Sequence, residues 1–227
     1  MRSIAFSLSF FAVAVSSCAQ NKTTDAVLLE EAQKKLKEGT SVSAILTDPK
    51  YMQIHPLTEF RDAIKDKATT DVLKVSTTEE PGKKIRVKGM VTNTAGKPVA
   101  GALVYLYHTS SAGWYAADRP HVGGNEGDMK HARLFGYVKT DANGRFELQT
   151  VKPSGYPQSD LPAHIHVHVW ADGYPNYVSE FLFDDDERLI GDIRARSIRE
   201  QLLISRPEKA NKPFDQEFSY QIVLSKQ

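Results

Sequence analysis

Alternation of apolar and polar residues dominates the chain from residue 85 onward. Apolar side chains at every second position, many of them β-branched or aromatic, are typical of strands with one buried face. Turn residues such as Asp141, Asn143 and Gly144 separate the runs, and short turns favour antiparallel neighbours. The pattern predicts a mainly β fold, an antiparallel β-sandwich. Its seven strands are IRVKGMVTN, AGALVYLYHT, FGYVKTD, GRFELQTV, AHIHVHVWAD, YVSEFLFDD and FSYQIVL.

The residues before the sandwich follow a helical period instead. Residues 25–39 predict a short helix closed by Gly39, within an otherwise polar tether. Residues 56–68 predict a second helix, in which apolar residues recur at helical spacing after a Thr58 cap. We therefore expect a short N-terminal helical segment ahead of the β domain.

The chain is divided by these patterns into three parts. Residues 1–18 form a leader, residues 19–80 a tether with the helical segment, and residues 81–227 the β domain. Residues 76–84 have the composition of a linker, and residues 186–203 predict a helix before the last strand.

Two connections within the β domain are long, at residues 110–134 and 153–162. Long loops on a compact sandwich are commonly functional. We therefore look for binding or catalytic residues in both.

Composition narrows the choice of partners. The chain has 227 residues, 41% of them hydrophobic, and a formal net charge of +1, which is enough to bury a core and leaves no basic excess for nucleic acid. No apolar run after residue 20 approaches membrane-spanning length. A small molecule or another protein is the expected partner.

The N-terminus has the features of an export signal. Arg2 precedes a largely apolar run, which ends in small residues around Cys18. V-S-S-C resembles a bacterial lipobox, in which Cys18 is lipidated; the alternative is ordinary cleavage after Ala19. Because Cys18 is the chain's one cysteine and has no disulfide partner, we favour a lipoprotein anchored in a membrane and facing the periplasm or cell surface. The alternative is a soluble exported protein.

Three histidines at alternate positions mark the strand PAHIHVHVW: His164, His166 and His168. In a strand they share one face, with an apolar face opposite. Neutral imidazoles are common metal ligands, although a lone His-x-His pair is also compatible with structural hydrogen bonding. Three such positions extend over roughly 13 Å at about 3.3 Å per residue, so we expect two of the three to bind one ion.

The remaining ligands decide which metal is held. Three histidines and water would suit zinc, and acidic side chains are available at Asp118, Glu126 and Asp128. Tyrosines in both long connections are the more unusual candidates. As hard anionic ligands, phenolates favour ferric iron over zinc.

Several motifs in one order carry a family resemblance. G-x-P-V-x-G-A, G-x-Y, T-D-x-x-G, K-P-x-x-Y-P and P-A-H-I-H occur successively between residues 96 and 166. This segment resembles the intradiol ring-cleavage dioxygenases, the catechol and protocatechuate family, which implies a prealbumin-like β-sandwich. The resemblance extends from about residue 85 to residue 186 and includes most of the β domain.

The resemblance implies a non-haem Fe(III) site with two tyrosine and two histidine ligands. Matched by motif, these are Tyr115, Tyr156, His164 and His166. It further implies that a catechol-type diol and O2 are the substrates, with both oxygen atoms inserted and the ring opened to a muconate-type diacid. Tyr156 would leave the iron and accept a substrate proton. Family members often associate, which suggests a homo-oligomer.

Two positions depart from the family pattern. An arginine usually precedes P-A-H-I-H, where this chain has Leu161, and a glutamine usually stands where it has Glu180. Loss of the arginine removes a positive charge that would stabilise negative charge developing on the substrate ring, unless Arg119 or Arg133 replaces it. Glu180 would disfavour an anionic substrate. Trp114 completes the candidate pocket wall.

Two other functions fit parts of the sequence. A transthyretin-like or carboxypeptidase-regulatory-like binding module shares the early turn motifs, which carry no catalysis. A zinc-dependent hydrolase could use His164 and His166 with Glu180 as its base. The binding module does not explain Tyr156 together with His164 and His166, whereas the hydrolase would give a colourless, zinc-loaded protein.

Overall fold

The computed structural model describes residues 13–116 and 132–226, with the backbone alone for residues 13–23. A helical segment comes first, followed by strands that build two sheets. The elements are α1 (Val13–Lys37), α2 (Val42–Leu46), a 3₁₀-helix (Pro49–Ile54), α3 (Thr58–Asp66), β1 (Leu73–Lys74), β2 (Lys84–Asn93), β3 (Leu103–His108), β4 (Leu134–Lys139), β5 (Arg145–Val151), β6 (His164–Trp170), β7 (Tyr177–Phe183), α4 (Gly191–Arg199), β8 (Leu203–Ser205), β9 (Glu208–Lys209) and β10 (Gln216–Leu224).

Two five-stranded sheets form the predicted β-sandwich, with orders β1-β5-β2-β10-β9 and β4-β3-β6-β7-β8. All seven predicted strands are present, and β1, β8 and β9 are short additions that the pattern did not indicate. The sheets are mixed rather than wholly antiparallel, because β10 runs parallel to β2, β8 to β7 and β1 to β5. The parallel β2–β10 pairing joins strands far apart in sequence, where no short turn dictates direction.

Apolar side chains from the inner faces of both sheets build the core. Ile85 and Val87 of β2 are fully buried, as the alternation requires. Aromatic rings connect the sheets: Phe181 stacks on Tyr220 at 4.1 Å between centroids, and the Tyr220 hydroxyl donates to the Leu182 carbonyl. These contacts fix the spacing of the two sheets, and with it the position of β6.

The N-terminal helices pack onto the same core. Leu28 of α1 and Phe60 of α3 belong to the continuous buried cluster of the sandwich. α1 ends at Lys37, just before Gly39 at φ 94°, as predicted, but it begins at Val13 and has 25 residues, so the expected short helix starting at residue 25 is wrong. α3 begins at Thr58 itself with Leu57 as its N-cap and no side-chain cap, so the predicted Thr58 cap is wrong. Among the described residues, no helix has the length and apolar character needed to cross a membrane.

The helix before the last strand is shorter than its sequence pattern. It covers Gly191–Arg199 rather than residues 186–203. Asp186 accepts from the backbone N–H of Arg188 and forms a turn after β7, while Gln201 at φ 58° ends the helix on the other side. Both local conformations compete with helix at its ends. The proposed division of the chain at residues 18 and 80 stays a prediction.

Candidate metal centre

The histidine row of β6 lies on the outer face of its sheet. His166 is paired with Tyr107 of β3 on one side and with Glu180 of β7 on the other. His164 is buried, and the two histidines after it are partly buried. The opposite face carries the apolar layer that the alternation predicted, formed by Ile165, Val167 and Val169, all fully buried.

Two of these imidazoles, those of His164 and His166, direct the same ring nitrogen, Nε2, toward one point. His164 donates from Nδ1 to the Pro162 carbonyl at 2.8 Å, and the Nδ1 atom of His166 lies 3.5 Å from the Glu180 carboxylate. An acceptor at Nδ1 fixes the proton there and leaves Nε2 as a lone-pair donor. The two Nε2 atoms are 3.2 Å apart, so both lone pairs point to one spot.

Two tyrosine hydroxyls meet the imidazoles at this spot. Those of Tyr115 and Tyr156 are 2.6 Å apart. Tyr115 lies 2.8 Å from the Nε2 atom of His166, and Tyr156 lies 2.9 Å from that of His164. Both tyrosines are buried. The structure therefore brings together all four side chains that the motifs single out.

Glycines explain how the two tyrosine loops come so close. A Cβ atom added at Gly113 would lie 2.4 Å from the carbonyl oxygen of Gly155, closer than real contacts allow. Gly113 also has φ 82°, which favours glycine. Each glycine stands one or two residues before its tyrosine. The G-x-Y and G-Y spacings thus let the loops of Tyr115 and Tyr156 touch.

The donor set fits a trivalent ion. Two phenols that ionise to phenolates, two neutral imidazoles and a solvent hydroxide would neutralise Fe(III), so a buried site would carry no uncompensated charge. Without metal, the same groups satisfy one another, since each phenol O–H has an imidazole nitrogen within 2.9 Å. A metal would take the place of those protons.

An aromatic layer supports the candidate ligand His166. The ring of Tyr107 stacks on it at 4.4 Å with 13° between the planes. His168 lies one pair further along β6, beside Tyr105 and Trp170, and burial lowers its pKa. His168 is thus part of the aromatic layer, and two of the three histidines reach the candidate centre, as the strand spacing predicts.

Glu180 lies behind His166 rather than among the tyrosines. His164, His166 and Glu180 have ligand atoms within 4.8 Å of one another and could hold a cation by themselves. The Glu180 carboxylate faces Nδ1 of His166, however, whereas the phenols face Nε2. We therefore assign Glu180 as an outer partner of His166.

Arg133 is engaged elsewhere. Its guanidinium forms a two-pronged ion pair with Glu80, at 2.5 and 2.6 Å, and both side chains are largely buried. The backbone N–H of Arg133 donates to the Tyr115 carbonyl at 2.9 Å. A cavity of about 290 Å³ beside this pair is lined by Trp114 as well. Arg133 therefore supports the Tyr115 loop, and a direct role of Trp114 or Arg133 toward substrate stays a prediction.

Other predicted residues are placed differently. The side chain of Leu161 is 37% exposed at the end of the loop before β6. The backbone of Cys18 belongs to α1, and its side chain lies outside the described residues. Most of the long connection, residues 117–131, also lies outside them. The predicted candidates there are Asp118, Arg119, Glu126 and Asp128.

Sequence reasoning missed three residues that hold the site together. Glu80 stands in a stretch that has the composition of a linker, yet it is 8% exposed and pairs with Arg133. Asp186 and Arg188 stand in a predicted helix, yet both bond to the loop before β6. Their acidic and basic side chains gave no local signal, because their partners are distant in the chain.

Two further histidines are buried away from the centre. His108 lies between the sheets, and His55 follows the 3₁₀-helix and stacks on Phe60. Burial lowers the pKa of each imidazole to about 4. Both are therefore neutral at ordinary pH and act as core residues.

Comparison with known proteins agrees with this geometry. A family model described as "Dioxygenase" matches residues 58–226. Catechol 1,2-dioxygenase 1 of Acinetobacter lwoffii is 34% identical over 139 residues, which are 54% of this chain and 43% of that protein. Chlorocatechol 1,2-dioxygenase of Rhodococcus opacus is 28% identical over 131 residues, 50% of this chain and 49% of that protein. The chain spans about half the length of these relatives.

Solved structures support the same fold. Catechol 1,2-dioxygenase from Pseudomonas arvilla C-1 superposes with a TM-score of 0.56 at 23% identity, covering 70% of this chain and 57% of that one. The dioxygenase domain of a carbohydrate-binding fusion protein from Streptomyces sp. SirexAA-E gives 0.52 at 24% identity, covering 70% and 90%. At this identity the likeness establishes the β-sandwich alone. Since the family model spans most of the chain, the protein belongs to the intradiol ring-cleavage dioxygenase family.

Proposed function

We propose that this protein is a ferric intradiol dioxygenase that cleaves a small, uncharged catechol-type diol with O2. The observation that carries the proposal is the convergence of two phenol oxygens and two imidazole nitrogens, joined by contacts of 2.6–3.5 Å. The relatives named for catechol and chlorocatechol support the substrate class. A muconate-type diacid is the expected product.

The four ligands would have separate tasks. Tyr115, His164 and His166 would hold the ion throughout, while Tyr156 would give up its place to the diol and accept one of its protons. Bound ferric iron would supply a Lewis acid that withdraws electron density from the diol. Because these side chains are buried or partly buried, the site would keep water away from the ring and orient it.

The charges around the centre favour a neutral substrate. Glu180 places a carboxylate directly behind His166, and Leu161 offers no cation where the family usually has one. The positive charge of Arg133 is already paired with Glu80. A carboxylated catechol would therefore meet the carboxylate of Glu180 and no cation at position 161, and we expect catechol or an alkylcatechol to be preferred over protocatechuate.

A visible absorption spectrum tests the proposal most directly. Protein loaded anaerobically with iron and then oxidised should show a broad tyrosinate-to-iron band, which shifts when catechol is added. Oxygen uptake in the same cuvette then measures turnover, and Tyr115→Phe and Tyr156→Phe should weaken or remove the band. A colourless protein that ignores catechols would contradict the proposal. Zinc retained in that protein would favour a hydrolase with Glu180 as base, and absence of bound metal would favour the binding module.

We also propose that the protein is exported and anchored through a lipid on Cys18. The support is the apolar leader that ends at the chain's one cysteine. Expression in the presence of a labelled fatty acid, compared with Cys18→Ser, tests this. Label retained by the variant, or an unlabelled wild type, would contradict it.

A further inference from the structure

The turn after β7 holds the loop that carries two of the proposed iron ligands. Tyr156 and His164 stand at the ends of this loop, eight residues apart. The guanidinium of Arg188 donates to the Tyr156 carbonyl at 3.2 Å and to the Leu161 carbonyl at 3.3 Å. One cation thus joins the start and the end of the loop.

Asp186 holds the same loop at a third point. One oxygen of its carboxylate accepts from the Ala163 N–H at 3.1 Å, immediately before His164. The other oxygen accepts from the Arg188 N–H at 2.9 Å. The carboxylate therefore couples the backbone of the clamping arginine to the residue immediately before β6.

The loop needs such support. Gln158 adopts φ 61°, which is unfavourable for a residue with a side chain. The hydrogen bonds within the loop run through Ser159. Its backbone N–H donates to the Tyr156 carbonyl, and its hydroxyl accepts from the Leu161 N–H. A Cβ atom at Gly155 would lie 2.2 Å from the Leu161 oxygen and 2.4 Å from Arg188. Glycine at 155 is thus what permits Arg188 to close the loop.

We propose that Arg188 and Asp186 are positioning residues, which set the geometry of Tyr156 and His164 for iron without touching it. The inference rests on the proposed function in so far as the ion is ferric iron. With the backbone of Tyr156 fixed, the phenol leaves and regains its place by side-chain rotation alone. The loop stays closed, and His164 does not move.

Amide hydrogen exchange of the metal-free protein tests the clamp independently of iron. Arg188→Ala should speed exchange of the amides of Tyr156, residues 158–161 and Ala163 by roughly tenfold, because two hydrogen bonds to the loop are lost. Asp186→Asn, a mild change, should act mainly at Ala163. Arg194→Ala is the matched control, since Arg194 pairs with Asp184 of the same turn and, among the described residues, makes no hydrogen bond to the loop. Unchanged exchange in Arg188→Ala and Asp186→Asn would overturn the clamp.

The iron-loaded variants test whether the clamp positions the ligands. We expect Arg188→Ala to bind iron about tenfold more weakly and to show a shifted tyrosinate band. Arg188→Lys or added guanidinium should partly restore the band, whereas a merely structural loss would not respond. Faster loop exchange with a wild-type band would reduce the clamp to a structural role and overturn the positioning proposal. A wild-type protein without any tyrosinate band, but with faster exchange in the variants, would contradict the proposed function and leave the clamp intact.

Discussion

His108 and His164 lie on neighbouring strands of one sheet, one residue out of register, and are almost equally buried. His108 faces inward, and both ring nitrogens are satisfied, by the Thr109 carbonyl and by the Thr150 hydroxyl of the opposite sheet. His164 faces outward and keeps Nε2 among other ligand atoms. Burial is thus a poor guide to function here. What separates the two is where the second nitrogen points.

Removal of a ligand imidazole should give the largest difference between the two faces. His164→Ala should lower iron affinity by at least about 100-fold, because one of four protein ligands is lost. His108→Gln should leave iron binding unchanged, since glutamine can also donate and accept between the sheets. Isothermal titration calorimetry with iron in the presence of a competing chelator, followed by the visible spectrum, measures the iron affinity of both variants. Iron lost equally from the two variants would break the comparison.

The two fully buried histidines that lie away from the candidate centre should instead control stability at acid pH. His55 and His108 have folded-state pKa values of about 4, whereas an unfolded imidazole titrates near 6.5. Below about pH 6.5 the two imidazoles bind protons in the unfolded chain but remain neutral in the folded chain. Stability present above that pH is therefore lost as the pH falls toward 4, by up to roughly 3 kcal/mol for each histidine.

Urea unfolding of the metal-free protein between pH 7 and pH 4 measures this loss. His108→Gln should be less stable at pH 7 but should show a shallower decline, since one of the two titrating groups is gone. A decline of unchanged steepness would mean that carboxylates rather than buried histidines govern acid unfolding.

The two faces also differ in how far the sequence could predict them. Alternation alone placed Ile165 inward and His166 outward, because a strand leaves no other choice. It could not bring Tyr115 to His166, since 51 residues and a loop without periodicity separate them. That link came from motif order, a property of the family. Neither alternation nor motif order indicated the roles of Glu80 and Arg188, because a charged residue in a polar segment gives no sign of its distant partner.

Leu161 offers a way to sharpen the outward face. Leu161→Arg would place a cation at the end of the loop before β6, and the 37% exposure of this position leaves room for it. We expect turnover of catechol to rise by up to about tenfold, with iron binding unchanged, because the charge acts on the substrate ring. Oxygen uptake against catechol concentration separates kcat from KM. A rise in KM alone would indicate that the new arginine blocks the pocket.

Glu180 should give the smallest and most selective effect, because it acts through His166 and through substrate charge. Glu180→Gln removes a negative charge 3.5 Å from Nδ1 of His166 and keeps an acceptor there. We expect the ratio of kcat/KM for protocatechuate to that for catechol to rise about three- to tenfold, with rates for catechol little changed. Ser179→Ala is the control from the inward face: its buried hydroxyl lacks a partner among the described residues, so its removal should leave the ratio unchanged and cost little stability. If Ser179→Ala changed the kcat/KM ratio as much as Glu180→Gln, the preference for an uncharged substrate could not be assigned to the charge on the outward face.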